Sequence, residues 1–335
     1  MSTRAAIVGF RGYAGAELLR LLARHPRATP WLLDDLLEAG ERPQPPACGA
    51  PRRGPATPEA VRQEELAVVF LATPHEVSME LAPALLEAGA TVIDLSGAFR
   101  LRTPENYTRW YKEPHTQPAL LAEAVYGLPE LSRERLRGAR LVSNPGCYPT
   151  AASLVIQPLV QAGVVERARG IVCNAASGVS GAGRKPSLKT SFCEVTENFS
   201  CYSILDHRHV PEVLMNCGLE EAEFSFTAHL LPVERGILET IYFRAHGLTS
   251  AAELMRVYEE RYRGEPFIRL YPAGLLPDLR AVGHTNYCDL GARLDASTGR
   301  AVVVAAIDNL VKGAAGQAVQ NMNLALGWEE TEGLL

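Results

Sequence analysis

The sequence has no excess of basic residues to offer a polyanion. Lys and Arg number 33 against 38 Asp and Glu, the formal net charge is −5, and the cations are scattered. Without a basic stripe there is nothing to neutralise a run of phosphates, so nucleic acid is excluded as a partner. No apolar stretch reaches the roughly 20 residues that cross a bilayer. Met1-Ser2-Thr3-Arg4 leads within a few residues into a strand-like run, which leaves no room for the charged, apolar and cleavage regions of a secretory leader. A cysteine framework is missing too. The seven cysteines (48, 147, 173, 193, 201, 217 and 288) form an odd set without a Cys-x-x-Cys pair, against both a disulfide scaffold and a zinc knuckle. Internal repeats and low-complexity tails are absent. The expectation is a cytoplasmic protein with a small-molecule substrate, no membrane and no metal.

What is present is 335 residues, 47% of them apolar, enough for two domains. Ala5 to Gly9 reads as a strand buried on both faces, followed by a glycine-rich turn. From Ala14 to His25, Leu18, Leu21 and Leu22 recur at helical spacing before Pro26 closes the segment. A second buried run, Ala67 to Ala72, precedes Thr73-Pro74 and a helix through Leu86 that ends at Gly89; Thr91 to Leu95 is the next strand. Such alternation predicts an α/β fold with a Rossmann-type doubly wound parallel sheet. Its second strand falls loosely within residues 30 to 60, where Pro30 and Pro43 spoil the pattern. From Arg140 one more strand runs into Ser143-Asn144-Pro145-Gly146-Cys147, with a helix from near Thr150 to Gly163. Beyond it, strand-like runs at 168–175, 223–231, 236–245, 286–294 and 301–307 have hairpin spacing, with a helix from Ser250 to Tyr262. A mainly antiparallel α+β second domain fits them. The last helix, about Leu310 to Leu326, is apolar and rich in small residues, so it should pack closely on a neighbour.

Gly9, Gly12 and Gly15 lie between strand and helix, where a tight turn and a close approach to a pyrophosphate need residues without side chains. Asp34 and Asp35 stand near the distance at which an acidic residue holds a ribose hydroxyl, which favours NAD; Arg11, Arg52 and Arg53 could instead meet a 2′-phosphate. Cys147 is the candidate nucleophile. It follows a strand end and a Pro-Gly turn and precedes a helix whose unpaired amides favour a thiolate. Cys173, Cys201 and Cys217 read as packing. His207-Arg208-His209-Val210-Pro211-Glu212 offers two histidines around an arginine ahead of a helix; with no third ligand at suitable spacing, acid–base work with anion binding is expected there. Ser177 to Lys185 reads as a flexible, amide-rich loop ending in Arg184 and Lys185 that could close over an anion, and Arg100 as a cation after a strand end. His75 and His229 read as structural or near the cofactor.

Gly9 to Gly15, Asp94 to Leu101, Ser143 to Ala151, Ser177 to Lys185, His207 to Glu212 and Ala306 to Asn321 together resemble the N-acetyl-gamma-glutamyl-phosphate reductase family, and the similarity runs from Ile7 to Trp328. The resemblance implies an NADP-dependent enzyme of arginine biosynthesis that forms a cysteine thioester on Cys147. It implies a dinucleotide-binding domain of residues 1–146 with 309–335, and a glyceraldehyde-phosphate-dehydrogenase-like catalytic and oligomerisation domain of residues 147–308, assembled as a homodimer or homotetramer. A histidine of the His-Arg-His motif is then the acid–base group, and His209, nearer the helix start, is preferred to His207. Cofactor contacts are expected at Gly9, Arg11, Gly12, Tyr13, Ala14, Gly15, Thr73, Pro74, Ser96, Ser177, Gly178 and Asn309. Substrate contacts are expected at Arg100, Asn144, Ser180, Arg184, Lys185, His207, Arg208 and Glu212. Two sister enzymes share the layout: a reductase for a carrier-protein-linked aminoadipyl phosphate and aspartate-semialdehyde dehydrogenase. A redox-sensing NADP-binding module is the non-enzyme alternative. Thr29 to Asp35 departs from the family, which would carry a hydroxyl or basic residue at that strand end.

Overall fold

The computed structural model describes residues 2–34 and 51–335, so Asp35, Pro43 and Cys48 lie outside the described residues. Two compact units emerge: one of residues 1–104, 114–144 and 315–335, the other of residues 105–113 and 145–314. The expected division had placed residues 105–113, 145–146 and 309–314 with the first domain.

In the first unit, short apolar strands alternate with helices, as continuous burial on both faces of a parallel sheet requires. The strands are β1 (Thr3–Val8), β2 (Ala28–Leu33), β3 (Arg52–Gly54), β4 (Leu66–Leu71), β5 (Thr91–Asp94), β6 (Val125–Tyr126) and β7 (Leu141–Ser143). They form one parallel sheet in the order β3-β2-β1-β4-β5-β7-β6. The order in which strands are added reverses between β1 and β4, which opens the crevice where such folds hold nucleotides. Helix α1 (Tyr13–Leu22) buries Leu18 and Leu22, and helix α2 (His75–Glu87) follows β4. Full burial of a leucine contributes about 1.5–3 kcal/mol. Ala318, Val319 and Met322 of the terminal helix Gly316–Ala325 share this core with Ile7, Phe70 and Ile93. Pro30 does not break β2. It pairs with Ala5 of β1, while β3 reaches only Trp31 to Leu33, so no described strand lies against Pro30 on the outer side and its missing N–H costs no ladder bond.

The second unit holds β8 (Ile171–Gly178), β9 (Ser200–Tyr202), β10 (Phe224–Leu231), β11 (Ile237–Arg244), β12 (Ile268–Leu270), β13 (Cys288–Asp295) and β14 (Arg300–Ile307). Their order is β12-β13-β14-β11-β8-β10-β9. β13 and β14 form the expected hairpin. β10 and β11 do not: β8 lies between them, parallel to β10 and antiparallel to β11. The connection 232–236 instead crosses the end of β8, where Val179 N–H donates to Val233 O at 2.9 Å and Gly178 N–H to Gly236 O at 2.9 Å. Helix α3 (Cys147–Gln161) packs on β11 and β14, and helix α5 (Ala251–Arg261) on β13; α4 (Val210–Cys217) packs on α3. Ser250 caps α5 by accepting from the Glu253 amide. The long terminal helix expected from Leu310 is preceded by a separate π-helical turn, Val311–Ala315. Asp308 imposes it: its carboxylate accepts from the Leu310 and Val311 amides, and its carbonyl from Gly313 N at 2.9 Å.

His25 anchors the chain end in the first unit. Its Nδ1 accepts from the Arg27 and Ala28 amides, and its ring lies on Trp328. Burial lowers its pKa below the ordinary 6.5, and burial does the same to His115 and His207. The unfolded chain therefore binds more protons, so this stability is complete above pH 6.5 and lost as pH falls below it. Melting temperature should drop between pH 7.5 and 5.5, and His25→Gln should flatten that drop; an unchanged slope in the variant would refute the assignment.

Candidate functional site

The glycine turn of the first unit leaves no space for side chains. Gly9 has φ +81°, and a Cβ there would stand 2.3 Å from Ala72 O; one on Gly15 would stand 2.3 Å from Gly9 O. Gly12 caps α1 without a side-chain hydrogen bond, at the amide-rich end formed by Tyr13, Ala14 and Gly15. This bare, positive helix end at the β1/β4 reversal suits a pyrophosphate. Thr73, half-buried, pairs its hydroxyl with Ser78 at 2.9 Å, and exposed Pro74 caps α2. Ser96 is bound to the Asp94 carboxylate through its amide at 3.0 Å and its hydroxyl at 2.9 Å. Asp34 forms an ion pair with Arg11.

Arg100 is buried, not an exposed cation. Its guanidinium donates to Asn144 O and Leu95 O, both at 2.8 Å. Asn144 is equally fixed: its amide donates to Asp94 O at 2.8 Å and its side-chain oxygen accepts from Asn321 at 2.9 Å.

In the second unit Cys147 opens α3, three residues earlier than the expected start near Thr150. Gly146 is the cap, and Pro149 fits the first turn because amides there have no partner within the helix. Cys147 is partly exposed. The positive end of the helix favours an anion at this position.

Gly146 gathers the other groups. Its amide donates to Oε2 of the fully buried Glu212 at 3.0 Å. A Cβ on it would lie 2.7 Å from His209 Nε2 and 2.8 and 2.9 Å from the two neighbouring ring carbons, so the imidazole rests against the bare Cα of the residue before Cys147. His209 caps α4, with a proline in the first turn as the sequence predicted.

His207 does something else. Its Nδ1 accepts from the His209 amide at 3.2 Å, and its ring packs on Tyr148 (5.4 Å between centroids), Phe226 (5.2 Å) and Tyr202 (5.7 Å). Burial, with the charge of Arg208 second, pushes its pKa down to about 4. It is therefore neutral near pH 7, an acceptor that holds the His209 backbone.

Sequence reading missed the Tyr148–Tyr202 hydroxyl pair, 2.9 Å apart, and Gly313, whose Cβ would meet Cys147 Cβ at 2.9 Å. The small-residue run around Gly313 had signalled close packing without naming the neighbour.

Ser177 and Gly178 end β8, and Val179–Ala182 is a 3-10 turn, where a flexible loop had been expected. Order follows from hydrogen bonds: Asn309 donates to Ser180 Oγ at 2.9 Å and accepts from Gly236 N at 2.7 Å. Arg184, Lys185 and Arg208 are exposed. Among the described residues no helix is long and apolar enough to cross a membrane.

The semialdehyde dehydrogenase NAD binding domain family matches residues 4–139, and the semialdehyde dehydrogenase dimerisation domain family residues 147–309. N-acetyl-gamma-glutamyl-phosphate reductase of Symbiobacterium thermophilum is 49% identical over 342 aligned residues, covering 100% of this chain and 98% of the relative. That of Desulforudis audaxviator is 47% identical, covering 99% and 98%. Among solved structures, aspartate semialdehyde dehydrogenase II of Vibrio cholerae superposes with a TM-score of 0.71 at 19% identity, over 97% of this chain and 98% of that one. This likeness is one of fold.

A methyl group at position 313 would press on Cys147, and such overpacking costs about 1–3 kcal/mol. Gly313→Ala should slow iodoacetamide alkylation of Cys147 by at least about fivefold, while exposed Cys193 and Cys201 react as before. Peptide mass spectrometry reads all three thiols at once; an unchanged Cys147 rate would mean that the neighbouring turn yields.

Proposed function

The chain belongs to the N-acetyl-gamma-glutamyl-phosphate reductase family, and from that premise we propose that Cys147 is its nucleophile and His209 its acid–base group. The reaction is the NADPH-dependent reductive dephosphorylation of N-acetyl-glutamyl 5-phosphate to N-acetyl-glutamate 5-semialdehyde, in arginine biosynthesis. The placing of His209 Nε2 against Gly146, one residue from Cys147, carries the assignment.

The Cys147 thiolate attacks the acyl carbon, the bond to the phosphate oxygen breaks, and phosphate leaves with the bonding pair; a thioester remains on the enzyme. NADPH, when bound, supplies the hydride that reduces it. The first-turn amides of α3, which follow a glycine cap, suit the resulting oxyanion, and one such donor contributes about 3 kcal/mol. His209 Nε2 holds the proton that this oxygen takes and gives back as the C–S bond breaks and Cys147 regains its thiolate. Glu212 and His207 are positioning residues, one fixing the amide before Cys147 and the other the backbone of His209. Gly9, Gly12, Gly15 and the first amides of α1 would hold the pyrophosphate, a role their bare geometry supports. Ser177, Ser180 and Asn309 of the second unit would contact substrate and nicotinamide, Asn309 and Ser180 being hydrogen-bonded to each other, and Thr73, Pro74 and Ser96 of the first unit would contact the cofactor. Arg184, Lys185 and Arg208 supply the exposed cations for an incoming acyl phosphate, and buried Arg100 with Asn144 shapes the strand ends. The family match to a dimerisation domain supports a homo-oligomer, which we take to be a homodimer or homotetramer in the cytoplasm.

Phosphate-dependent oxidation of N-acetylglutamate semialdehyde with NADP+ is the decisive assay. Activity should require Cys147, and His209→Asn should lower turnover by about two to four orders of magnitude. Aspartate semialdehyde as the better substrate would overturn the substrate assignment, and full turnover in the His209 variant would overturn the role given to it. Cys147→Ser should retain dinucleotide binding while yielding no acyl-enzyme in a quenched digest.

A further inference from the structure

β2 runs into Asp34, whose carboxylate is paired with Arg11 of the glycine turn. The two side chains are 27% and 18% exposed, so solvent screens this pair less than an open surface salt bridge. Arg11 also lies on the Phe10 ring, its guanidinium carbon 4.9 Å from the centroid, and Arg53 approaches the same ring at 5.3 Å. Side chains alternate along β3, and Arg52 goes the other way, onto Trp31 at 5.6 Å. The Asp34 amide donates to Gly54 O at 3.0 Å, which ties the end of β3, and with it Arg53, to the end of β2.

Two guanidinium groups on the Phe10 ring, one of them paired with a carboxylate, thus lie by the glycine turn. This corner is where a dinucleotide's adenosine ribose falls in such sheets. A 2′-phosphate asks for cations, whereas a ribose diol asks for an acceptor. The corner contains both, and the acceptor is engaged with one of the cations. A 2′-phosphate held by Arg11 must share it with the Asp34 carboxylate, and the repulsion between those like charges weakens its binding.

We propose that Asp34 is a specificity-determining residue that narrows the preference for NADPH over NADH by acting as the counterion of Arg11, with Arg53 as the second phosphate-binding cation. The proposal rests on the dinucleotide-binding reading of the glycine turn. Asp34→Asn keeps the shape and removes the charge, so it releases Arg11 for the 2′-phosphate.

Titration calorimetry on the protein without substrate tests this, using NADP+, NAD+, adenosine 2′,5′-bisphosphate and adenosine 5′-monophosphate as titrants. In Asp34→Asn, NADP+ and the bisphosphate should bind on the order of five- to tenfold more tightly, while NAD+ and the monophosphate bind no more tightly than before. Arg53→Gln should weaken NADP+ and the bisphosphate by about tenfold and leave NAD+ within about twofold. Asp34→Ser, with a melting curve for each variant, guards against a folding defect in one of them. If the unmutated chain binds NADP+ but neither substitution at position 34 raises the NADP+ to NAD+ affinity ratio, the proposal falls and the dinucleotide reading stands. Weaker NADP+ binding in both would make Asp34 a support for Arg11 and overturn it equally. Binding of neither dinucleotide to the unmutated chain would remove the underlying reading and this proposal with it.

Discussion

A glycine amide held by a buried carboxylate fixes the starts of two helices in the second unit. Gly146 gives its N–H to Glu212, its carbonyl to Thr150 and its bare Cα face to the imidazole of His209. Glu212 sits in the first turn of α4 and Thr150 in the first turn of α3, so one residue without a side chain pins the starts of two helices together. A buried carboxylate costs several kcal/mol unless hydrogen-bonded, and that cost makes the register of the two helices hard to change. Cys147 and His209 take their places from it.

Nearby imidazoles then acquire different work from different surroundings. His207 is enclosed by Tyr148, Phe226 and Tyr202, is kept neutral by burial, and spends Nδ1 on a backbone amide. His209 keeps Nε2 at the turn beside the thiol. The preference for His209 had rested on its nearness to a helix start; the contact of its ring with Gly146 is what supports that proposal. The π-helical turn also reaches Cys147: Asp308 holds the turn, and Gly313 within it abuts the Cys147 side chain.

Much of the architecture was legible in local pattern. Buried runs such as Ala5 to Gly9 and Ala67 to Ala72 announce parallel strands, and Leu18, Leu21 and Leu22 announce the helix after the glycine turn, because burial on two faces and on one face leave different periodicities. Pairing was less legible. The spacing of β10 and β11 suggested a hairpin, yet β8, some fifty residues earlier, lies between them; nothing in a short connection records a strand inserted from elsewhere. Pro30 was misleading for a similar reason, since its tolerance depends on how far β3 extends beside it.

The residue types that carry the chemistry were written in the sequence by themselves: a glycine triplet between strand and helix, a cysteine after Asn-Pro-Gly, and histidines ahead of a helix that holds a glutamate. Such features are local, and a few bonds of covalent geometry and helix capping are enough to define them. Tertiary structure alone decided that Arg100 is buried against carbonyl groups, that the Ser177 to Ala182 segment is ordered, that Gly313 abuts the thiol and that Asp34 is spent on Arg11. Those outcomes depend on which side chains are brought together across tens or hundreds of residues, and a contact of that kind exists only once the chain has folded.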